Sequence, residues 1–293
     1  MTAVAPAPGS VEWQRLVTAS KVAAILGLSP WDSPRSIWHL LRGEVPSDDG
    51  TNQAAKSRGH YLEDGILDWW ADQHPELRED SRQPYVTDPA LPWAAATPDL
   101  IASDSNGNTV VVDAKTARND DEWGDPGTDE VPAYYAAQLQ WQMHLAKAKR
   151  GYIALLTNRL DLREFVIDYD AATAVAMENI CHDFYQSTLN DDAAPPIDDS
   201  VATFQALRKV HPDIDRDAHV ELDHATATEL VEAHLHLKAA EARDRLARSV
   251  VLEQMGRARL AKHNDQTIAR RQANRTGVSF VIVAKTPPAK ETT

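Results

Sequence analysis

A single cysteine, Cys181, stands in 293 residues. One thiol cannot close an intramolecular disulfide, and it cannot supply a four-cysteine zinc or iron–sulfur site within one chain. No apolar run approaches the ~18–20 residues that a membrane-spanning helix needs. The first residues, MTAVAPAPGS, lack the basic-then-apolar order of a signal peptide. These absences predict a cytoplasmic protein. Positive charge is also scarce, with 30 Lys and Arg against 44 Asp and Glu and a net charge of −14. Non-specific DNA binding draws on lysine and arginine to neutralise phosphates, so the balance at first opposes a nucleic-acid partner. The deficit is uneven, however. Residues 241–293 hold 11 Lys and Arg against 5 Asp and Glu, about +6, which leaves about −20 for the remainder. A basic channel within an acidic exterior would reconcile the total with DNA, and carboxylates that hold a cation reverse their local effect.

What is present reads as a globular chain. Hydrophobic content is 43% and charged content 25%, ordinary values for a protein with a buried core. Residues 1–10, rich in Ala and Pro, predict a disordered leader. Helical signals cover 20–26, capped by Thr18 or Ser20, then 34–42, then 56–73, where Leu62, Ile66, Leu67, Trp69 and Trp70 recur at helical spacing. Strands are predicted at 83–87, 94–102 and 109–114, the last two joined through Asn106-Gly107, a strong hairpin signal. An acidic loop at 118–130, a helix at 132–149, strands at 151–157 and 163–168 and a helix at 171–189 follow. This order predicts an α/β fold over residues 11–200, one central mixed sheet flanked by helices. A linker at 193–200 leads to a C-terminal helical extension over 201–293. Within it, 224–262 predicts one long helix or a broken helical hairpin, and 278–283 a terminal strand.

Four short pieces carry chemistry. They are Arg58-Gly59-His60-Tyr61-Leu62-Glu63 on the predicted helix, Thr97-Pro98-Asp99 on the first hairpin strand, Asp113-Ala114-Lys115 on the second, and Tyr135-Ala136-Ala137-Gln138-Leu139-Gln140 on the next helix. Asp113 and Lys115 are two apart on a strand and share one face; the hairpin brings Asp99 beside Asp113. Val110, Val111 and Val112 in succession predict a strand covered on both faces. Two carboxylates and an ammonium then converge at a sheet edge. Adjacent carboxylates repel, a divalent cation removes that penalty, and oxygen ligands suit Mg2+, with Mn2+ as a substitute. A carboxylate-held Mg2+ polarises a phosphodiester and acidifies a coordinated water, while a nearby lysine stabilises developing charge. Glu63 would complete the coordination from the helix side. Gln138 is a neutral amide suited to holding Lys115, the water or a phosphate oxygen.

This ordered set, with Thr18-Ala19-Ser20 upstream, resembles the PD-(D/E)xK nuclease superfamily and, within it, the lambda-exonuclease or YqaJ-like viral recombinase family. The resemblance covers roughly residues 17–170 and implies a restriction-endonuclease-like fold. It implies that Glu63, Asp99, Asp113 and the Ala114 carbonyl are metal ligands, with Asp99, Asp113, Lys115 and Gln138 catalytic. Ser20 and Arg15 would hold a terminal 5′-phosphate. It further implies Mg2+-dependent 5′→3′ digestion of double-stranded DNA ends, leaving 3′ overhangs for a single-strand annealing protein. A homo-oligomer, a trimeric ring around DNA, and a phage or prophage setting in a bacterial cytoplasm belong to the same implication. The sequence departs from the family pattern where Arg15 lies closer to Ser20 than usual, where Leu100 replaces a common glycine, and where Asp113 replaces a frequent glutamate.

Other readings compete. One is another nuclease of the superfamily, Cas4-like or restriction-type, although the lone cysteine argues against the Cas4 branch. Others are a non-catalytic DNA-end-binding scaffold, which the intact carboxylate–lysine set opposes, and a metal-dependent hydrolase of another substrate. His39, His60 and His144 lack paired spacing and read as structural. Gln140 and Gln142 read as solvated helix residues. Trp31, Trp38, Trp69, Trp70, Trp93 and Trp141 read as core aromatics, of which an exposed member could stack on or wedge between bases. Arg270, Arg271 and Arg275 read as solvated charge or a phosphate-contacting patch, and the long helix as a packing or partner surface.

Overall fold

The computed structural model describes Pro6 and residues 10–46, 53–190, 193–275 and 277–288. The predicted 1–10 leader, Pro6 and Ser10 apart, lies outside the described residues. The chain divides into two units, Met1–Ile214 and Asp215–Thr293. In the first, α1 (Val11–Gln14) leads through β1 (Val17–Thr18) into α2 (Ala19–Ile25) and α3 (Pro34–Leu41). Then come α4 (Gln53–Gln73), β2 (Arg78–Arg82), β3 (Ala94–Ala95), β4 (Leu100–Ser103) and β5 (Thr109–Thr116). The crossover helix α5 (Ala133–Ala146), β6 (Arg150–Leu156), β7 (Leu162–Asp168), α6 (Ala171–Leu189) and α7 (Val201–Val210) complete it.

The main sheet has the order β2-β4-β5-β6-β7. Pairing is antiparallel except between β5 and β6, which run parallel with α5 between them. This is the mixed α/β sheet that the sequence predicts. Its organising strand is β5, whose valines alternate between two cores. Val110 and Val112 pack with Ile66, Leu67 and Trp70 of α4. Val111 packs with Leu139 and Met143 of α5. Each fully buried side chain of this kind stabilises by roughly 1.5–3 kcal/mol. Period two then places Asp113 and Lys115 on the Val111 side, under α5. A third cluster, with Val17, Val22 and Ile25, joins Trp93, Trp141, Met177 and Cys181 and seats α2 against α5 and α6.

Three predicted boundaries move, each for a physical reason. The strand predicted at 83–87 lies at Arg78–Arg82, and only the Val86–Ala96 bridge remains of the prediction. The segment REDSR has no apolar residue, so it carries no strand periodicity; it is an edge strand whose Arg82 pairs with Asp64 and Asp68 of α4 and with Glu79. Gln83 then turns the chain out of the strand with φ +49°. The strand predicted at 94–102 breaks into β3 and β4 at Thr97-Pro98-Asp99, where Pro98 has no N–H for a ladder. The boundary predicted at residue 200 falls after Ile214, because α7 packs on α3: the Ser33 and Thr203 hydroxyls lie 2.7 Å apart, and Ala206 is buried.

In the second unit, Asp223 caps a long helix, α8 (His224–Met255), which stops at Gly256 rather than continuing to 262. The predicted terminal strand is the last of three: β8 (Leu260–His263), β9 (Gln266–Asn274) and β10 (Gly277–Ile282) form an antiparallel meander. Among the described residues, no helix is long and apolar enough to cross a membrane.

Gly151 of β6 tests the seating of α5. A Cβ there would lie 2.7 Å from Cγ and Cδ2 of Leu139, and Leu139 is fully buried with no room to retreat. Gly151→Ala should destabilise the protein by about 1–3 kcal/mol, the cost of overpacking, seen as a lower urea midpoint at unchanged slope. A wild-type midpoint would show that α5 does not rest on β6 in this way.

Candidate active site

The break at Pro98 leaves Asp99 immediately before β4, and the register Leu100–Val112 sets it across from Asp113. One Asp99 carboxylate oxygen accepts the Ala114 backbone N–H at 2.7 Å. Asp113 is 1% exposed. A buried carboxylate is costly unless it is both paired and hydrogen-bonded, and Asp113 is both. The Lys115 ammonium contacts its Oδ2, and Gln142 donates Nε2 to its Oδ1 at 3.0 Å. Lys115 Nζ also lies 3.4 Å from the Ala114 carbonyl oxygen and 5.4 Å from the centre of the Tyr135 ring.

Charge is unevenly balanced here. Burial pushes the Asp99 carboxyl well above the usual carboxylate range; the Asp113 charge pushes it further, and the Glu63 charge adds to that against the opposing pull of Lys115 and the Ala114 N–H. Burial works against the charge on Lys115, yet Asp113 and Asp99 outweigh it and hold its pKa above the ordinary lysine value. Burial likewise raises Tyr135, which keeps the phenol protonated. Glu63, on α4, accepts a hydrogen bond from Gln83 at 2.7 Å. Among the described residues no three His, Cys, Asp or Glu side chains are gathered closely enough to grip a metal ion. In this structure Glu63 is engaged by Gln83 and Asp113 by Lys115.

The α5 side chains over β5 follow helical spacing. Tyr135, Gln138 and Gln142 stand at i, i+3 and i+7 and so share a face. Tyr135 meets Lys115, and Gln142 meets Asp113. Gln138, between them, is half-buried, with no hydrogen-bond partner among the described residues.

Residues 12–149, which contain all of these side chains, match the family model of the YqaJ-like viral recombinase domain. The segment is thus similar to the YqaJ-like viral recombinase domain, over just under half of the chain. The chain is 24% identical to the protein YqaJ of Bacillus subtilis (strain 168) over 238 residues, 78% of this chain and 70% of that one. Similar folds occur among solved structures. For the dAMP complex of LHK-Exo, an alkaline exonuclease from Laribacter hongkongensis, the identity is 18% and the TM-score 0.49, covering 63% of this chain and 93% of that one. For a phage related exonuclease from Haemophilus somnus 129PT the identity is 13% and the TM-score 0.44, covering 59% and 92%.

Within the matched segment, two glutamines differ from their sequence reading. Gln142 is 1% exposed and grips Asp113; Gln140 is buried, donates to the Asp168 carbonyl at 2.8 Å and accepts from the Asp170 N–H at 3.1 Å. Neither is solvated. The signal for Gln142 was its place on the Tyr135–Gln138 face, but α5 is covered on nearly all sides and shows no polar face to single it out. Lys21 also escaped notice. It is 4% exposed, donates to the carbonyls of Trp13, Gln14 and Leu16 at 3.3, 2.8 and 2.6 Å, and ties the segment around Arg15 to α2. Burial lowers its pKa to about 7. Arg15 and Ser20 are both exposed, and the Ser20 and Thr18 hydroxyls lie 3.2 Å apart. Thr18, not Ser20, is the N-cap residue of α2, and its side chain makes no capping bond. Of the histidines, His144 bonds Tyr169 and Glu178, His39 bonds Glu44, and His60 is exposed.

The raised pKa of Asp99 has a thermodynamic consequence. Its contribution to stability is complete below about 3.9, the unfolded value, and is lost as pH rises through the higher native value. An asparagine at this position does not titrate and has no such loss. In EDTA, the melting temperature of Asp99→Asn should therefore gain on wild type as pH rises from 4 to 8. A gap that shrinks with rising pH would contradict this charge balance.

Proposed function

We propose that this protein is a divalent-metal-dependent deoxyribonuclease, an exonuclease of the phage-recombination type. It would digest double-stranded DNA ends 5′→3′ and leave 3′ overhangs. The observation that carries the reading is the buried Asp113–Lys115 pair beside Asp99, roofed by Tyr135 and Gln142, inside a segment similar to the YqaJ-like viral recombinase domain.

In donor chemistry the residues present suit a hard cation, and holding one would require Glu63 to leave Gln83 and Asp113 to share its oxygens with Lys115. Asp99, Asp113, Glu63 and the Ala114 carbonyl offer only oxygen, the donor that Mg2+ prefers and Mn2+ tolerates. Among the described residues, buried Asp113 Oδ2 meets only the Lys115 ammonium. Burial raises Asp99 most, and the repulsion from Asp113 and Glu63 that adds to it is relieved by added positive charge. These four groups would hold the ion, which when bound polarises the phosphodiester and acidifies the attacking water.

The remaining work falls to side chains. Lys115, held protonated by its two aspartates, keeps its proton at Nζ and so acts as a cation and donor, not as a base. It stabilises the charge that develops on a non-bridging phosphate oxygen. Gln138, on the same face of α5, orients the water or a phosphate oxygen with its neutral amide. The exposed Arg15 guanidinium and Ser20 hydroxyl receive the terminal 5′-phosphate through charge-assisted and neutral hydrogen bonds. The same reading carries the partners: double-stranded DNA ends, a single-strand annealing protein, and further copies of this chain, in the trimeric ring that the family resemblance implies. A bacterial cytoplasm is its setting.

The test is digestion of linear duplexes bearing 5′-phosphate or 5′-hydroxyl, and of circular duplex, in Mg2+ and in EDTA. Linear DNA should be degraded from its 5′ ends only with Mg2+, the phosphorylated end faster, and circular DNA not at all. Lys115→Ala and Asp113→Ala should each lower the rate by at least about 100-fold. Wild-type rates in either variant would remove the site from the chemistry. Release of label first from a 3′ terminus would reverse the polarity, and a monomer by light scattering would remove the ring.

A further inference from the structure

We infer that Trp31 is a base-stacking platform that holds a nucleobase within a few nucleotides of the scissile phosphate, making end recognition depend on stacking as well as on charge. The inference rests on the proposed nuclease reading. Trp31 lies in the loop between α2 and α3 and is 58% exposed, whereas Trp38, Trp70, Trp93 and Trp141 are buried. Its place is fixed rather than loose. The Ser29 hydroxyl accepts the Trp31 N–H at 3.2 Å and the Asp32 N–H at 3.1 Å, and Pro30 and Pro34 restrain the chain on either side.

Its ring belongs to an aromatic chain that runs to the catalytic lysine. Trp31 meets Tyr134 at 5.0 Å between ring centres, with planes at 77°, and Tyr135 at 6.2 Å. Tyr135 in turn lies 5.4 Å from Lys115 Nζ and 5.6 Å from the ring of Trp123, which is anchored on Phe165 at 4.9 Å. Because the Trp31 and Lys115 contacts share the Tyr135 ring, Trp31 stands within a few nucleotides' rise, about 3.4 Å each along one strand, of a phosphate at Lys115. A large aromatic surface left open there is poorly explained by packing, since Trp31 buries less than half of itself. A nucleobase fits it, because every base presents a π-face and stacking tolerates any sequence, as an enzyme that digests along a strand requires. Stacking also suits a chain of net charge −14, in which phosphate neutralisation alone is a weak source of affinity.

The experiment compares Trp31→Ala, Trp31→Phe and wild type in steady-state digestion of linear duplexes in Mg2+. One substrate has intact ends; the other carries abasic nucleotides at the terminal positions of the digested strand. Melting temperatures confirm that each variant is folded. On intact ends, Trp31→Ala should lower kcat/KM by roughly 5- to 100-fold, the worth of a stacked base. The effect should fall mainly in KM, and Trp31→Phe should recover most of the loss. On abasic ends wild type should already be slow, and Trp31→Ala should add almost nothing. Wild-type kinetics in Trp31→Ala, or an equal loss on both substrates, overturns the stacking role while leaving the nuclease reading intact. If the wild-type protein degrades no DNA, the nuclease reading itself falls, and this inference with it.

Discussion

Moving a carboxylate out of water costs several kcal/mol even after the protein relaxes, and this chain does so at Asp113, at the heart of its central sheet. The arrangement of the site follows from how that cost is met. Lys115 supplies the opposite charge from two residues away on the same strand face, and Gln142 supplies a hydrogen bond from the helix above. Asp99 and Glu63 then add negative charge that one ammonium cannot balance. The cluster is left with more carboxyl oxygen than one ammonium can balance, and burial and repulsion push Asp99 toward its protonated form. Such a surplus is unfavourable in isolation and attractive to a cation, which is why the electrostatics and the proposed chemistry point the same way.

Two periodicities make the arrangement possible. The two-residue repeat of β5 sends its valines alternately into the α4 and α5 cores and sets Asp113 and Lys115 on one side. The helical repeat of α5 aligns Tyr135, Gln138 and Gln142 over them. The height of that helix is set where Leu139 meets Gly151, a position without a side chain, and its far side is held by Gln140 at the corner between β7 and α6. The geometry of the candidate site is thus a by-product of packing that is otherwise ordinary.

The sheet and the Asp99–Asp113–Lys115 cluster were legible because each depends on local pattern. A run of three valines, an Asn-Gly turn and a spacing of two dictate strand, hairpin and face without knowledge of the rest of the chain. What escaped the sequence depended on tertiary context. REDSR forms a strand because β4 offers it an edge, and α4 its counter-charges. Gln142 is buried because its face of α5 lies on β5, where it meets Asp113. Lys21 is buried because the end of α1 turns three carbonyls toward it. The limit at Ile214 was hidden by α7, whose docking on α3 follows a polar, proline-rich stretch that reads as a linker. Which tryptophan stands open is decided by tertiary packing, although Trp31 sits in the turn-like stretch SPWDSP rather than in an apolar run.

The division after Ile214 also orders events in time. Every side chain assigned to the site lies between Arg15 and Gln142, and the sheet that carries them closes with β7 at Asp168. Chains fold domain by domain from the N-terminus as they are synthesised. The unit that carries the candidate site can therefore be assembled while the long helix and meander of Asp215–Thr293 are still being translated. The second unit is thus a late addition to a finished scaffold, and it can change in length or surface without disturbing the order in which the active centre is built.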